Sequence, residues 1–357
     1  MRGCSRPSCM FFVLAIAVIG CGRSATNRQA GGSASDGVRY TVTDLGAPPG
    51  TSSYPTAMNA AGQVVGVLLN RGFLYSKGKM VDLGTLGGKD SYAADIDAGG
   101  RVVGWAMNAR TEQRAFLYKD GKMVDLGTLG GPSSVATAIN ADGQIVGSAD
   151  VARGGRHAFL YEGGKMKDLC AAPNTPRWDP SWINDAGQIV GSICGGVDTR
   201  FKPVLWSHGN IEEIASDEIR QSSAEGDRIN ASGQIAGMAY TGRLEDCAFV
   251  HGSGKTAVLR SPIGKCFVGG INASGEVVGF IQKKVGKGQG LVGYVYSGGQ
   301  VRLLTDLLVP SDEGWRIVMA NAIDDSGRIA AAAFSKRSPE RYRAVLLTPV
   351  PSGRKPN

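Results

Sequence analysis

The chain has 357 residues, 42% hydrophobic and 20% charged, with only three histidines. Its net charge is +8, falling to +6 without Arg2 and Arg6, and its basic residues are dispersed apart from Lys283-Lys284, Lys287 and the Lys336–Arg343 segment. Nucleic-acid binding uses a concentrated basic stripe, so that partner is excluded, whereas a milder attraction to an anionic membrane or polysaccharide is not.

Residues 1–20 read as a processing signal, with a positive start at Arg2 and Arg6 and an apolar run from Met10 to Ile19. That run is too short to span a bilayer comfortably. It ends in Val18-Ile19-Gly20-Cys21, which resembles the lipobox of bacterial lipoproteins. The resemblance implies cleavage before Cys21, acylation of that residue, and a membrane partner reached through the lipid anchor. Gly22, rather than Asp, is similar to the outer-membrane sorting pattern, so the expected address is the bacterial envelope, facing periplasm or cell surface. The small, polar residues up to Gly37 read as a flexible tether.

From Tyr40 onward the chain repeats itself. Gly78–Gly88 and Gly121–Gly131 are the same eleven residues, 43 positions apart. A more regular element is an apolar residue, Asn or Asp, two residues, then Gly and a Val/Ile-rich run. It occurs seven times, with its Asn or Asp at 59, 97, 140, 184, 230, 272 and 324, and Gly-to-Gly spacings of 38, 43, 44, 46, 42 and 52. Asn or Asp followed by Gly suits a tight hairpin turn. Each copy reads as four short strands, in copy three Ala136–Ile139, Gln144–Gly147, His157–Tyr161 and Lys165–Leu169. Four strands per repeat of roughly 40 residues is the arithmetic of a propeller blade. Gly66, Gly104, Gly147, Gly191, Gly237 and Gly279 recur in the second strand, as close backbone approach requires, and copy seven has Ala331 there.

Copy seven lacks a fourth strand, and before copy one lies Val42-Thr43-Asp44-Leu45-Gly46, which matches the fourth-strand pattern Met123-Val124-Asp125-Leu126-Gly127. The expected fold is therefore an all-β, seven-bladed propeller closed by an N-terminal strand that completes the last blade, with an open β-solenoid as the alternative. The domain plan is a signal at 1–20, lipidated Cys and tether at 21–37, the propeller at 38–348 and a tail at 349–357.

The chain resembles the HAF-repeat proteins, a bacterial group of extracellular proteins. His157-Ala158-Phe159 carries the name-giving triplet, and Asp125-Leu126-Gly127-Thr128-Leu129-Gly130-Gly131 the second signature, which copies four to seven mostly lose. The resemblance implies secretion and a propeller-like β fold, and lends no activity to particular residues.

Once Cys4 and Cys9 are cleaved and Cys21 acylated, Cys170, Cys194, Cys247 and Cys266 remain, an even number in an exported protein. Three pairings are open; the local one joins Cys170 to Cys194 and Cys247 to Cys266. His157, His208 and His251 share no metal-ligand spacing, so no metal is expected. Gly252-Ser253-Gly254-Lys255-Thr256 imitates a phosphate loop, yet it precedes a strand rather than a helix. No cofactor is implied.

Turns after the first and third strands are short and uniform, whereas connections on the opposite face are longer and vary, which is where recognition residues tend to sit. Trp178, Trp182 and Trp315 are expected near that long-loop face. Immediately before the apolar residue of each turn element the residue changes: Ala57, Asp95, Ala138, Trp182, Arg228, Gly270 and Ala322. If first strands line the channel, Asp95, Trp182 and Arg228 form its polar and aromatic lining; the alternative is that the tryptophans plug gaps between blades and the charges are solvated. The reading is a non-enzymatic binding or scaffold module for protein or glycan. The alternative is an exported lyase or glycan hydrolase, which needs Asp95, Glu225 and Asp227 to converge on a pocket.

Overall fold

The computed structural model describes residues 37–172, 175–194, 200–214, 216–217, 219, 222–240, 247–285 and 288–350. The signal segment, Cys21, the tether up to residue 36 and the tail beyond 350 lie outside the described residues, as does the side chain of Cys194. Seven antiparallel four-stranded sheets surround a central axis, giving a seven-bladed propeller. The innermost strands are Ser53–Met58, Gly87–Ile96, Gly130–Ile139, Trp178–Ile183, Ser223–Ile229, Lys265–Ile271 and Trp315–Ile323.

Hydrophobic clusters lie between blades. Ala57 and Val65 of blade one pack with Ile96, Val102 and Phe116 of blade two. The third strand supplies the large wedge: Phe73, Phe116, Phe159, Phe249 and Tyr294 are each at most 1% exposed. Opposite each wedge sits the recurrent glycine. Every innermost strand bulges two to three residues before its turn Asn or Asp, as between Ala136 and Ala138. The bulge brings a carbonyl onto the second strand. A Cβ on Gly147 would lie 2.0 Å from Val135 O, and one on Gly237 2.0 Å from Glu225 O. Blade seven carries Ala331 at this position, and its innermost strand has a second bulge, between Ile317 and Met319.

The outermost strand of blade seven is Arg39–Asp44, antiparallel to Ser338–Val350 from Arg39↔Val350 to Asp44↔Val345. That strand takes in Pro349 and Val350, so the ordered blade extends two residues past the expected boundary. The 52-residue spacing before copy seven is explained at the same seam. The insert contains two short 3-10 helices, Leu304–Leu307 and Pro310–Asp312, and lies along the outer edge of the closing strand. Val309 N donates to Tyr40 O at 3.0 Å, and Val42 N to Asp312 Oδ2 at 2.9 Å. An otherwise open strand edge is thereby covered.

The signature residues serve the joints between blades. Asp125 Oδ1 accepts from Gly127 N at 2.8 Å and its carboxylate pairs with Arg114 at 3.0 Å, while Ser134 Oγ bridges to Gly127 O and accepts from Ala115 N. The closing strand repeats the device with Asp44, Arg343 and Ser53. In the name-giving triplet, His157 takes the place of Arg114 and pairs with Asp168 at 2.9 Å.

A ring of polar contacts joins all seven turn elements. Asn59, Asn140, Asn184, Asn230 and Asn272 each direct Nδ2 to the carbonyl of the equivalent residue in the next blade, at 2.9–3.4 Å. Asp97 and Asp324 have no amide to donate. In those two blades the residue four after the Asp is Arg, where the others have Gln or Glu four after the Asn. Arg101 and Arg328 each bind their own Asp and reach the next blade, at Ala141 O (2.9 Å) and Ala60 O (2.7 Å). The ring closes seven of seven. Arg101→Gln should leave the buried Asp97 carboxylate without its cation and cost about 3–5 kcal/mol. Asp97→Asn/Arg101→Gln recreates the pattern of blades one, three, four and five, and should recover all but about 1 kcal/mol. Denaturant melts of the two variants measure both; equal destabilisation would contradict the pairing.

Candidate functional site

The channel has a cavity of about 250 Å³ at the end bounded by the turn elements. Asp95, Asp97, Trp182, Asn184 and Asp185 line it, with Ile96, Ile139 and Ile229 supplying apolar walls. This is the short-turn face, whereas the sequence pointed to the long-loop face. The reason is the bulge: the varying residue sits at its C-terminal side, one step from the turn, and so projects at this mouth.

Trp182 packs against three core clusters, one of them formed by blades one and two across the axis from its own blade four. It partly plugs the channel. Arg228 does not line the cavity itself; its guanidinium lies 4.3 Å from the Trp182 ring centroid, a cation–π contact, and donates to Asp227 O at 3.1 Å. Asp95 is 4% exposed. Its Oδ1 accepts from Ile96 N at 2.8 Å and its Oδ2 from Ile139 N in the next blade at 2.9 Å. Burial pushes its carboxyl up to about 7, opposed by those two backbone donors and by Arg228, with Asp97 adding to the rise.

Trp178 and Trp315 do not belong to this site. Trp178 is 3% exposed at the opposite end of its strand, packed with Leu160, Leu169 and Cys170 as a filler between blades. Trp315 starts the innermost strand of blade seven at the long-loop end, packed on the cluster of Leu304, Leu308 and Ile317. Neither Glu225 nor Asp227 lines the cavity, so the three carboxylates of the enzymatic alternative do not gather there.

Cys170, Cys247 and Cys266 are buried, and the Cys247 thiol is directed at Ala239 O at 3.9 Å. Cys247 opens the third strand of blade five, in the position held by Arg114 and His157 in their blades, and Cys266 lies in the innermost strand of blade six. The pair therefore spans two neighbouring blades, and burial pushes the Cys266 thiol up to about 12. The Cys170–Cys194 pairing involves a side chain outside the described residues. His157, His208 and His251 each have a local partner, respectively Asp168, Ser207 and Thr256. Ser253 and Gly254 form a left-handed hairpin turn at φ 51° and 72°, which accounts for the phosphate-loop imitation.

The sequence reading missed Asp97, Asn184 and Asp185. Asp97 and Asn184 belong to the inter-blade ring, and their signal was the pairing of Asn with Gln or Glu, and Asp with Arg, four residues apart.

No protein-family model and no curated protein sequence matches the chain. Among solved structures it is similar to a puromycin-hydrolysing peptidase of Mycobacterium tuberculosis, with a TM-score of 0.51 and 13% identity over 85% of this chain and 52% of that one. A gluconolactonase of Xanthomonas campestris gives 0.40 and 15% over 90% of this chain and 99% of that one. TolB of Acinetobacter baumannii gives 0.43 and 12% over 87% and 80%. At these identities the likeness is one of fold.

Asp95 supplies a pH test. Its folded pKa of about 7 lies above its ordinary 3.8, so between those values the folded chain holds a proton that the unfolded chain has released. The stability this contributes is full below about pH 4 and is lost as pH rises to about 7, on the order of a few kcal/mol. Asp95→Asn is neutral throughout, and its melting temperature should show a shallower fall across that window than the wild type. Parallel profiles would mean that the folded carboxyl is already ionised at low pH.

Proposed function

We propose that the chain is a HAF-repeat, lipid-anchored propeller of the bacterial envelope that acts as a binding module for protein or glycan, without catalysis. The observation that carries the binding reading is the variation between copies at the position two residues before the turn Asn or Asp. Four of its seven residues are Ala or Gly, and the other three are Asp95, Trp182 and Arg228. Asp95 and Trp182 line the cavity and Arg228 stacks on Trp182. A charged group, an aromatic face and a set of backbone and amide groups around a cavity of about 250 Å³ suit one sugar ring or one side chain of a larger partner.

The intact chain in detergent, probed on a glycan array and with solubilised envelope proteins, tests this. A retained ligand should bind at least tenfold more weakly to Arg228→Ala, a half-buried position whose loss leaves the blade cores intact. Undiminished retention would remove the channel mouth as the site, and turnover of the retained glycan would favour the enzymatic alternative.

Anchoring rests on Val18-Ile19-Gly20-Cys21 following the apolar run. Cys21→Ser should move the protein from the detergent phase to the aqueous phase, because acyl chains are the apolar anchor. Unchanged partitioning would refute the lipoprotein reading.

A further inference from the structure

The long-loop face carries a second surface that the channel mouth does not use. Val318, Met319 and Ala332 form a small buried cluster at that end of blade seven, and Tyr54, Phe280, Phe334 and Tyr342 pack half-buried against it. The rings touch in series. Tyr54 and Tyr342 have centroids 4.9 Å apart, and Tyr342 and Phe334 4.5 Å. Phe280 in turn stacks on Phe267 at 4.7 Å with planes 7° apart. Blades six, seven and one thus share one aromatic strip.

The fold does not demand these rings. Tyr54 and Phe267 stand five residues before the turn Asn, and the equivalent residues of blades three, four and five are Val135, Asp179 and Glu225. Blades whose inter-blade joints are otherwise alike accept a small apolar side chain or a carboxylate there.

The strip is also flanked by positive charge. The exposed Arg316 guanidinium lies 4.9 Å from the Phe334 centroid. Burial raises the phenol of Tyr54 to about 12 and also raises that of Tyr342; the opposing pull comes from a Ser52 hydrogen bond and then Arg341 at Tyr54, and from Arg316 at Tyr342, which places both cations within electrostatic reach of the rings. Lys284, Lys336 and Arg337 are exposed at hairpin ends of the same face, against the acids Glu313 and Glu340.

We propose that this strip binds an acidic polysaccharide, with pyranose rings lying on Tyr54, Tyr342 and Phe334 and carboxylates meeting Arg316 and Arg341. Flat, packed aromatic rings offer ordered surface at low entropic cost, and the guanidinium fork matches a carboxylate. A membrane surface is served less well. Interfacial insertion uses protruding apolar side chains in a continuous patch, and among the described residues the exposed large hydrophobics of this face, Leu69, Ile263 and Val285, sit singly on three separate connections.

The test is affinity electrophoresis and biolayer interferometry of the intact detergent-solubilised chain with polygalacturonate, and with neutral dextran of matched length. Polygalacturonate should bind at least tenfold more tightly than dextran and weaken steeply with added salt. Arg316→Gln/Arg341→Gln, both exposed, should reduce binding at least tenfold without lowering the melting temperature. Tyr342→Leu, which keeps apolar packing, should reduce it severalfold, and Lys255→Gln, an exposed cation in a turn of the opposite face, should leave it unchanged. Absence of polygalacturonate binding, equal binding of dextran, indifference to the arginine pair, or tighter binding of phosphatidylglycerol vesicles or polyglutamate through the same residues would each overturn the proposal.

Discussion

Seven separate sheets stay together as one ring because each turn element makes a directed polar bond to the next. Apolar packing between blades is strong but non-directional, and would tolerate small rotations of one sheet against its neighbour. The Asn or Arg bond does not, because a fixed donor must meet one carbonyl of the following blade. At about 1 kcal/mol each, such bonds are individually modest. Seven in a closed cycle are comparable with the 5–15 kcal/mol net stability of a typical domain. The same ring sets the diameter of the mouth it surrounds, so the cavity is as wide as the bond lengths and turn geometry allow.

Most of what makes the sequence recognisable is absorbed by this assembly. Asp125-Leu126-Gly127 places a carboxylate, a buried leucine and a turn at the joint between blades two and three. The His157 of the triplet is the partner of Asp168, and its Phe159 is the wedge between blades. Motifs that repeat because every joint needs them say little about a ligand. Binding character belongs to positions where the copies disagree, such as the residues at 95, 182 and 228, and at 54 and 267.

This division explains which features were legible beforehand. Blade number and the close approach at the recurrent glycines each follow from a pattern present six or seven times, so one irregular copy does not obscure them, and the closing strand follows from its match to the fourth strands of the first copies. The lining by Asp95 and Trp182 was also readable, since it follows from strand register. The face was not, because it depends on where the bulge turns one side chain, and loop length suggested the other end. Trp178 fits the alternative in which the tryptophans plug gaps, since its strand begins under the side chains of blade three. The inter-blade ring was written in the sequence as paired changes four residues apart, but Asn was read only as a turn former. Its Oδ1 indeed serves the turn, and its Nδ2 serves the neighbour.

The closing strand also fixes where the polypeptide enters the disc. Arg39 pairs with Val350 at the end of blade seven that carries the short turns, at the outer circumference. Whatever precedes residue 37 therefore departs from the same side as the channel mouth and from the rim rather than the axis. Under the proposed acylation the lipid would be tied to the rim of the side that carries the mouth with Asp95 and Trp182, while the aromatic strip lies on the opposite face, so the two surfaces are separated by the thickness of the disc.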